Sequence, residues 1–303
     1  MKFTLFKILV ILVISVSPSC KNDNETNYEI EENKGGQEKV KSVKNLNISF
    51  LLDLSDRIDP ERHPNESMEY YLRDVAYIES VAKVFASSLK TKKTKLINDN
   101  IQLYFDPAPK NKDVNRLSDE LKFNINSKNA TLKLLNKIDA SYSKKPLEIY
   151  KAAIKDKDYV GSDTWRFFKT NIKDYCVREN HRNILVILTD GYIFHKDSKI
   201  TQGNKTSFLT PKLIKHLKLN DENWKVKIEN ENYGFIPANN NLSDIEILVL
   251  GINPDNRNPY EESVIKYYWE QWFNNMKVKK YKIVTTALPS NTNQIIKDFI
   301  TND

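Results

Sequence analysis

The chain has 303 residues, with 47 Lys and Arg against 40 Asp and Glu, 7 Gly and 2 Cys. Two cysteines exclude a disulfide framework, and so few glycines leave no room for a Gly-rich phosphate loop. Basic and acidic residues are interspersed, so the formal net charge of +7 reads as a solvated surface, and no nucleic-acid partner is expected.

The chain opens with a basic region, Met1 to Lys7, followed by the apolar run Ile8 to Ile14 and then Ser15-Val16-Ser17-Pro18-Ser19-Cys20. This is the order of a secretory signal, an address and not a domain. Its apolar part is shorter than the roughly 20 residues a spanning helix needs. Small residues leading to a cysteine resemble a bacterial lipoprotein signal, in which residues 1–19 are removed and Cys20 is lipidated at the start of the mature chain. Ser17 and Pro18 depart from that pattern, which usually carries Leu and a small residue there, and plain secretion is the alternative. Lys2 and Lys7 leave with the signal, which lowers the net charge from +7 to +5. Residues 20–43 are rich in Asn, Glu and Lys with few aliphatic side chains, too little apolar surface to offset chain entropy, and read as a flexible tether. The expected location is the bacterial cell envelope, lipid-anchored to a membrane.

The folded body is expected from residue 44 to 303. A strand over 47–54 precedes a helix over 67–89, whose apolar residues recur at spacings of three and four. A strand at 100–105 follows, with a short edge strand at 121–125 beside it. Helices are expected at 131–139, 146–155 and 163–177. They lead into a buried strand at 184–189. Strand 245–252, helix 260–276, strand 280–285 and a last helix from Asn291 complete the order. Strands alternating with helices imply a doubly wound α/β fold, a mostly parallel sheet with helices on both faces. The stretch 194–244 is too long for an ordinary loop and reads as an insertion after the fourth strand, placed to act as a lid or to carry a ligand surface. The aromatic helix around Tyr267 to Phe273 reads as core packing, with Glu261, Glu262 and Glu270 on its solvent side. Cys176 reads as a buried small hydrophobe.

Two apolar runs end in oxygen-bearing residues. Phe50-Leu51-Leu52 runs into Asp53-Leu54-Ser55-Asp56-Arg57, and Ile187-Leu188 runs into Thr189-Asp190-Gly191. Ligands of open parallel sheets sit beyond the carboxyl ends of the strands, so two such ends suggest one polar site. The element order and these ends resemble a von Willebrand factor A domain with a metal-ion-dependent adhesion site. That family carries Asp-x-Ser-x-Ser after the first strand, a Thr from a later loop and an Asp after the fourth strand. Asp53 and Ser55 match the first two positions and Asp190 the last. Gly161-Ser162-Asp163-Thr164 supplies the middle residue, Thr164 rather than Ser162. The resemblance implies Mg²⁺ or Mn²⁺ held by Asp53, Ser55, Thr164 and Asp190, and a protein partner whose acidic residue completes the shell.

Arg57 stands where the family has its second Ser. Arg cannot ligate a cation and its fixed charge opposes one. Either Asp56 or water takes its place, or Arg57 itself neutralises Asp53 or Asp190. Two further classes stay open: a metal-dependent hydrolase on the same scaffold, with His195 as the base, and an ion-free structural module. A haloacid-dehalogenase-like phosphatase would need a second Asp where Ser55 stands.

Overall fold

The computed structural model describes residues 44–159 and 161–302. The signal, the tether and Cys20 lie outside them. The fold class expected from the sequence holds: six strands form one sheet in the order β3-β2-β1-β4-β8-β9, and only β3 runs antiparallel to its neighbour. The strands are β1 (Asn45–Leu52), β2 (Asn98–Tyr104), β3 (Phe123–Asn126), β4 (His181–Leu188), β8 (Ile245–Ile252) and β9 (Lys280–Thr285). The central three are buried along nearly their whole length, as near-continuous apolar runs require when both faces are covered.

Helices cover both faces. α1 (Tyr70–Thr91), α3 (Leu132–Asp156) and α9 (Pro289–Thr301) close one apolar core around Phe50, Phe85, Ile101, Ile138 and Val186. α2 (Lys112–Asp119) joins them, capped by Asn111, whose side chain accepts from the Asp113 and Val114 amides. The opposite core holds Leu185, Val249, Trp269, Trp272 and Phe273, under α8 (Glu261–Asn275) and the helical stretch before β4. That stretch is α4 (Thr164–Arg166), a π-helical turn (Phe167–Asn171) and α5 (Ile172–Cys176). The wider π turn lets the consecutive rings of Phe167 and Phe168 both bury fully.

Two local expectations change. The separate helices at 131–139 and 146–155 are one helix, α3, continuous through Pro146. Proline removes a hydrogen bond there, but Ile138 and Tyr142 on one side and Ile149 and Tyr150 on the other are all buried, and that shared stripe keeps the axis unbroken. Glu261 is not on the solvent side of α8. It is buried, and accepts from Tyr192 Oη at 2.6 Å and Asn258 Nδ2 at 3.1 Å. The aromatic side chains of α8 from Tyr268 to Phe273 and Cys176 are buried as expected.

The insertion between β4 and β8 has structure of its own. It contains α6 (Pro211–His216), α7 (Trp224–Glu231) and a small sheet of β5 (Thr201–Gln202), β6 (Lys205–Thr206) and β7 (Gly234–Phe235). Ile236 O ties it to the body by accepting from the indole N–H groups of Trp165 at 2.8 Å and Trp272 at 3.0 Å.

Candidate functional site

Strand register builds the site. Leu52 pairs with Leu188, and Leu188 with Leu250. The next residue on each strand is therefore Asp53, Thr189 and Gly251, side by side where the apolar runs stop. Thr189 Oγ1 donates to Asp53 Oδ2 at 3.0 Å, and Asp53 Oδ1 accepts from the Ser55 amide at 2.9 Å. Gly251 adopts φ +103°, and a Cβ there would lie 3.0 Å from Thr189 O, so the two strand ends approach closely only because residue 251 has no side chain. Gly191 has φ +98° and packs its bare Cα against Ile252 and Ile265. This lets the chain turn off β4 immediately after Asp190.

The third loop joins through the backbone. Leu54 bridges Gly161, and Ser162 bridges Phe194, so the segment that leads into Thr164 is laced to the loops after β1 and β4. Thr164 is buried at the start of α4, and its hydroxyl bonds to Ser162 Oγ at 2.9 Å. Asp163 caps that helix through the Arg166 amide at 3.1 Å and accepts from Ser198 Oγ at 2.5 Å. His195 turns its Nδ1 to Asp163 Oδ2 at 3.3 Å.

Arg57 is the centre of the arrangement. Its side chain is buried, and Nη2 donates to Asp74 Oδ2 at 2.6 Å and to Leu188 O at 2.9 Å. Nε lies 3.5 Å from Asp53 Oδ2 without forming a hydrogen bond. Tyr150 Oη, from α3, donates to the same Asp74 oxygen at 2.9 Å. Burial alone would lower the pKa of this guanidinium, but the charges of Asp74 and Asp53 outweigh it and hold the pKa above its usual value. Burial raises Asp74, and Arg57 pulls it back. Asp56, the other candidate for the missing Ser, is exposed and pairs with Arg62 at 3.1 Å.

Asp190 is half-buried, and its Oδ1 accepts the Tyr192 amide at 3.0 Å. Burial first, and the charge of Asp53 second, push its carboxyl up to about 7. It shares with Arg57 the wall of a cavity of about 320 Å³ that opens toward the loop after β8, lined also by Tyr70, Tyr192, Asn253 and Arg257. The insertion reaches this cavity through Pro211. Ser55 and Thr164 do not line it. Among the described residues, no three His, Cys, Asp or Glu side chains converge as a metal-ligand group.

Sequence reasoning missed Asp74 and Tyr150. Asp74 had a readable signal: it lies three residues after Tyr71 and four before Ile78, a charge on the apolar stripe of α1. Tyr150 had none.

No family model matches the chain, and no curated protein matches it. Solved structures similar to it include an aerotolerance-related membrane protein from Bacteroides fragilis NCTC 9343 carrying multiple mutations to serines, at 10% identity and a TM-score of 0.37, over 86% of this chain and 100% of that one. The pilus adhesin SpaC from Lactobacillus rhamnosus GG, in its open conformation, is similar at 11% identity and a TM-score of 0.40, over 86% of this chain and 31% of that one. The PilB minor pilin from Streptococcus sanguinis is similar at 12% identity and a TM-score of 0.40, over 88% of this chain and 65% of that one. The chain thus spans under two thirds of the adhesin and of the pilin. Among the described residues, no helix is long and apolar enough to cross a membrane.

Proposed function

We propose that this chain is a non-catalytic protein-recognition module of the bacterial cell envelope, anchored through a lipid on Cys20, whose strand-end site works without a resident divalent ion. One observation carries the reading: Arg57, fixed by Asp74, Leu188 O and Asp53, supplies the positive charge at the point where the family pattern would place an ion ligand. The donor set supports it. Asp53 already serves Thr189 and the Ser55 amide, and Thr164 serves Ser162. Arg57 sets a fixed positive charge 3.5 Å from Asp53, which opposes a cation there, and Ser55 and Thr164 do not line the cavity that Asp190 lines. A hydrolase would need a base beside Asp190, and His195, the base expected from the sequence, does not line the cavity that Asp190 lines; the histidine at its wall is His63, an exposed loop side chain.

Calorimetric titration of Mg²⁺ and Mn²⁺ into the chain, beside Asp190→Ala, tests the ion-free form. No saturable heat is expected from either protein. Saturable binding that Asp190→Ala abolishes would replace this reading with an ion-dependent one. Recognition itself is tested by photo-crosslinking in cells from Asn253, at the rim of the cavity, where a discrete protein adduct is expected. Cys20→Ala should release the chain from the membrane fraction, and unchanged fractionation would remove the anchor from the proposal.

A further inference from the structure

A buried lysine sits at the amino-terminal edge of the main sheet, away from the strand-end site. Lys92 directly follows α1, and its side chain reaches the place where β1 begins at Asn45 and β2 at Asn98. Its Nζ donates to Asp99 Oδ1 at 2.5 Å, to Asn45 Oδ1 at 3.2 Å and to Lys44 O at 3.3 Å. Of the lysines that form ion pairs among the described residues, Lys92 has the least exposed side chain, at 4%, and the side chain of Asp99 is fully covered. Asp99 is held in turn by the Leu46 amide at 2.6 Å on Oδ1 and by the Asn98 amide at 3.3 Å on Oδ2. Leu46, Leu89 and Ile97, buried neighbours in the chain of these residues, belong to the apolar core beneath α1.

Three acceptors satisfy an ammonium group, and the same neighbours are also the components of a reaction. An amine, a carboxamide and a carboxylate within hydrogen-bond reach can exchange one amide for another. A lysine amine becomes a nucleophile once an adjacent base takes its proton. Fixing the groups together removes the entropic part of the barrier. Asn45 is half-buried, and among the described residues its Nδ2 makes no hydrogen bond, so the nitrogen that must leave is unrestrained and has access to solvent.

We propose that Lys92 and Asn45 form an intramolecular isopeptide bond, with Asp99 as the proton carrier. The proton on Nζ moves to Asp99 Oδ1, and the freed lone pair attacks Asn45 Cγ. The Nζ–Cγ bond forms while the carbonyl electron pair moves onto Oδ1. Asp99 then gives its proton to Nδ2, the electron pair on Oδ1 returns, the Cγ–Nδ2 bond breaks and ammonia leaves. The surplus proton on Nζ passes through Asp99 to the ammonia. One lysine ammonium and one carboxamide thus become a secondary amide and an ammonium ion, with Asp99 restored and no second reactant. The bond joins residues 47 apart in sequence. It ties the first residue of β1 to the end of α1, resists reducing agents, and restricts the unfolded chain by closing a long loop. The inference is independent of the recognition reading.

Peptide mapping by mass spectrometry of the purified full chain, incubated at neutral pH, tests the bond. Trypsin cuts after Lys44, Arg57, Lys90 and Lys93, and a modified Lys92 is not cut. A branched peptide joining residues 45–57 to 91–93 should appear, lighter by one ammonia, about 17 Da, than the two peptides taken separately. Lys92→Arg keeps the positive charge and should abolish it. Asp99→Asn keeps the shape without the proton carrier and should lower its yield roughly tenfold or more, with circular dichroism reporting that the variant is folded. Lys93→Arg, at an exposed neighbour, should leave the yield unchanged. Full recovery of the linear peptide 45–57 from the parent overturns the proposal and leaves Lys92 and Asp99 as a structural ion pair. A branched peptide undiminished in folded Asp99→Asn, or one that joins Asn45 to a different lysine, overturns it as well. The parent carries the deciding measurement, so the test stands even where a variant does not fold.

Discussion

Replacing Arg57 by Met keeps much of the side chain's bulk and removes the guanidinium that faces both Asp53 and Asp74. Asp74 would lose its 2.6 Å partner and keep only Tyr150, while Asp53 would keep its bonds to Thr189 and Ser55 but lose the charge 3.5 Å away. Both carboxylates are 2% exposed, so neither can recover solvation without local opening. Breaking a buried pair from one side costs about 3–5 kcal/mol. At roughly 2 °C per kcal/mol for a domain of this size, the midpoint of thermal unfolding should fall by about 6–10 °C. The penalty also has a sign with pH. Burial already raises Asp74, and losing Arg57 raises it further, above an unfolded value near 3.9. Stability that depends on the protonated form is present at low pH and lost as pH rises, so the deficit of Arg57→Met should be largest at pH 7 and shrink toward pH 5. Urea unfolding followed by tryptophan fluorescence at both pH values measures it. Adding Asp74→Asn to Arg57→Met should cost less than the sum of the single changes, because the charge left behind is then also gone. If Arg57→Met lay within about 1 kcal/mol of the parent at pH 7, or the double variant lost more than the sum, the idea of Arg57 as internal counter-ion would be wrong.

Three further outcomes follow from the same geometry. Arg57→Ser completes the Asp-x-Ser-x-Ser pattern and removes the opposing charge, so calorimetry should detect saturable Mn²⁺ binding where the parent gives none; silence would mean that the strand ends cannot assemble an ion site even without the arginine. Asp190, pushed up to about 7 by burial and then by Asp53, has a folded pKa above its unfolded value, so its stabilising contribution is complete below about pH 4 and is lost as pH rises through about 7. Asp190→Asn should therefore flatten the decline in stability between pH 5 and 8, and a profile parallel to the parent's would contradict the assignment. Burial pushes the Cys176 thiol up to about 12, so it should resist iodoacetamide at pH 8 until the chain is unfolded; rapid native labelling mapped to Cys176 would show that this core opens.

Apolar periodicity alone determined the fold class, the six strands of the main sheet and the helices that cover it, α2 excepted. Burial of β1, β4 and β8 on both faces demands continuous apolar runs, and such runs are visible in one dimension. The same runs marked their own ends, which is why Asp53, Thr189 and Asp190 were legible as strand-end residues. What the sequence could not decide was direction. Whether Arg57 points to solvent, to Asp190 or into the core depends on a carboxylate 17 residues away on α1 and a tyrosine on α3, and a side chain's counter-ion is set by packing between elements. The continuity of α3 through Pro146 has the same origin, since burial of a stripe shared across the proline outweighs the local propensity to break.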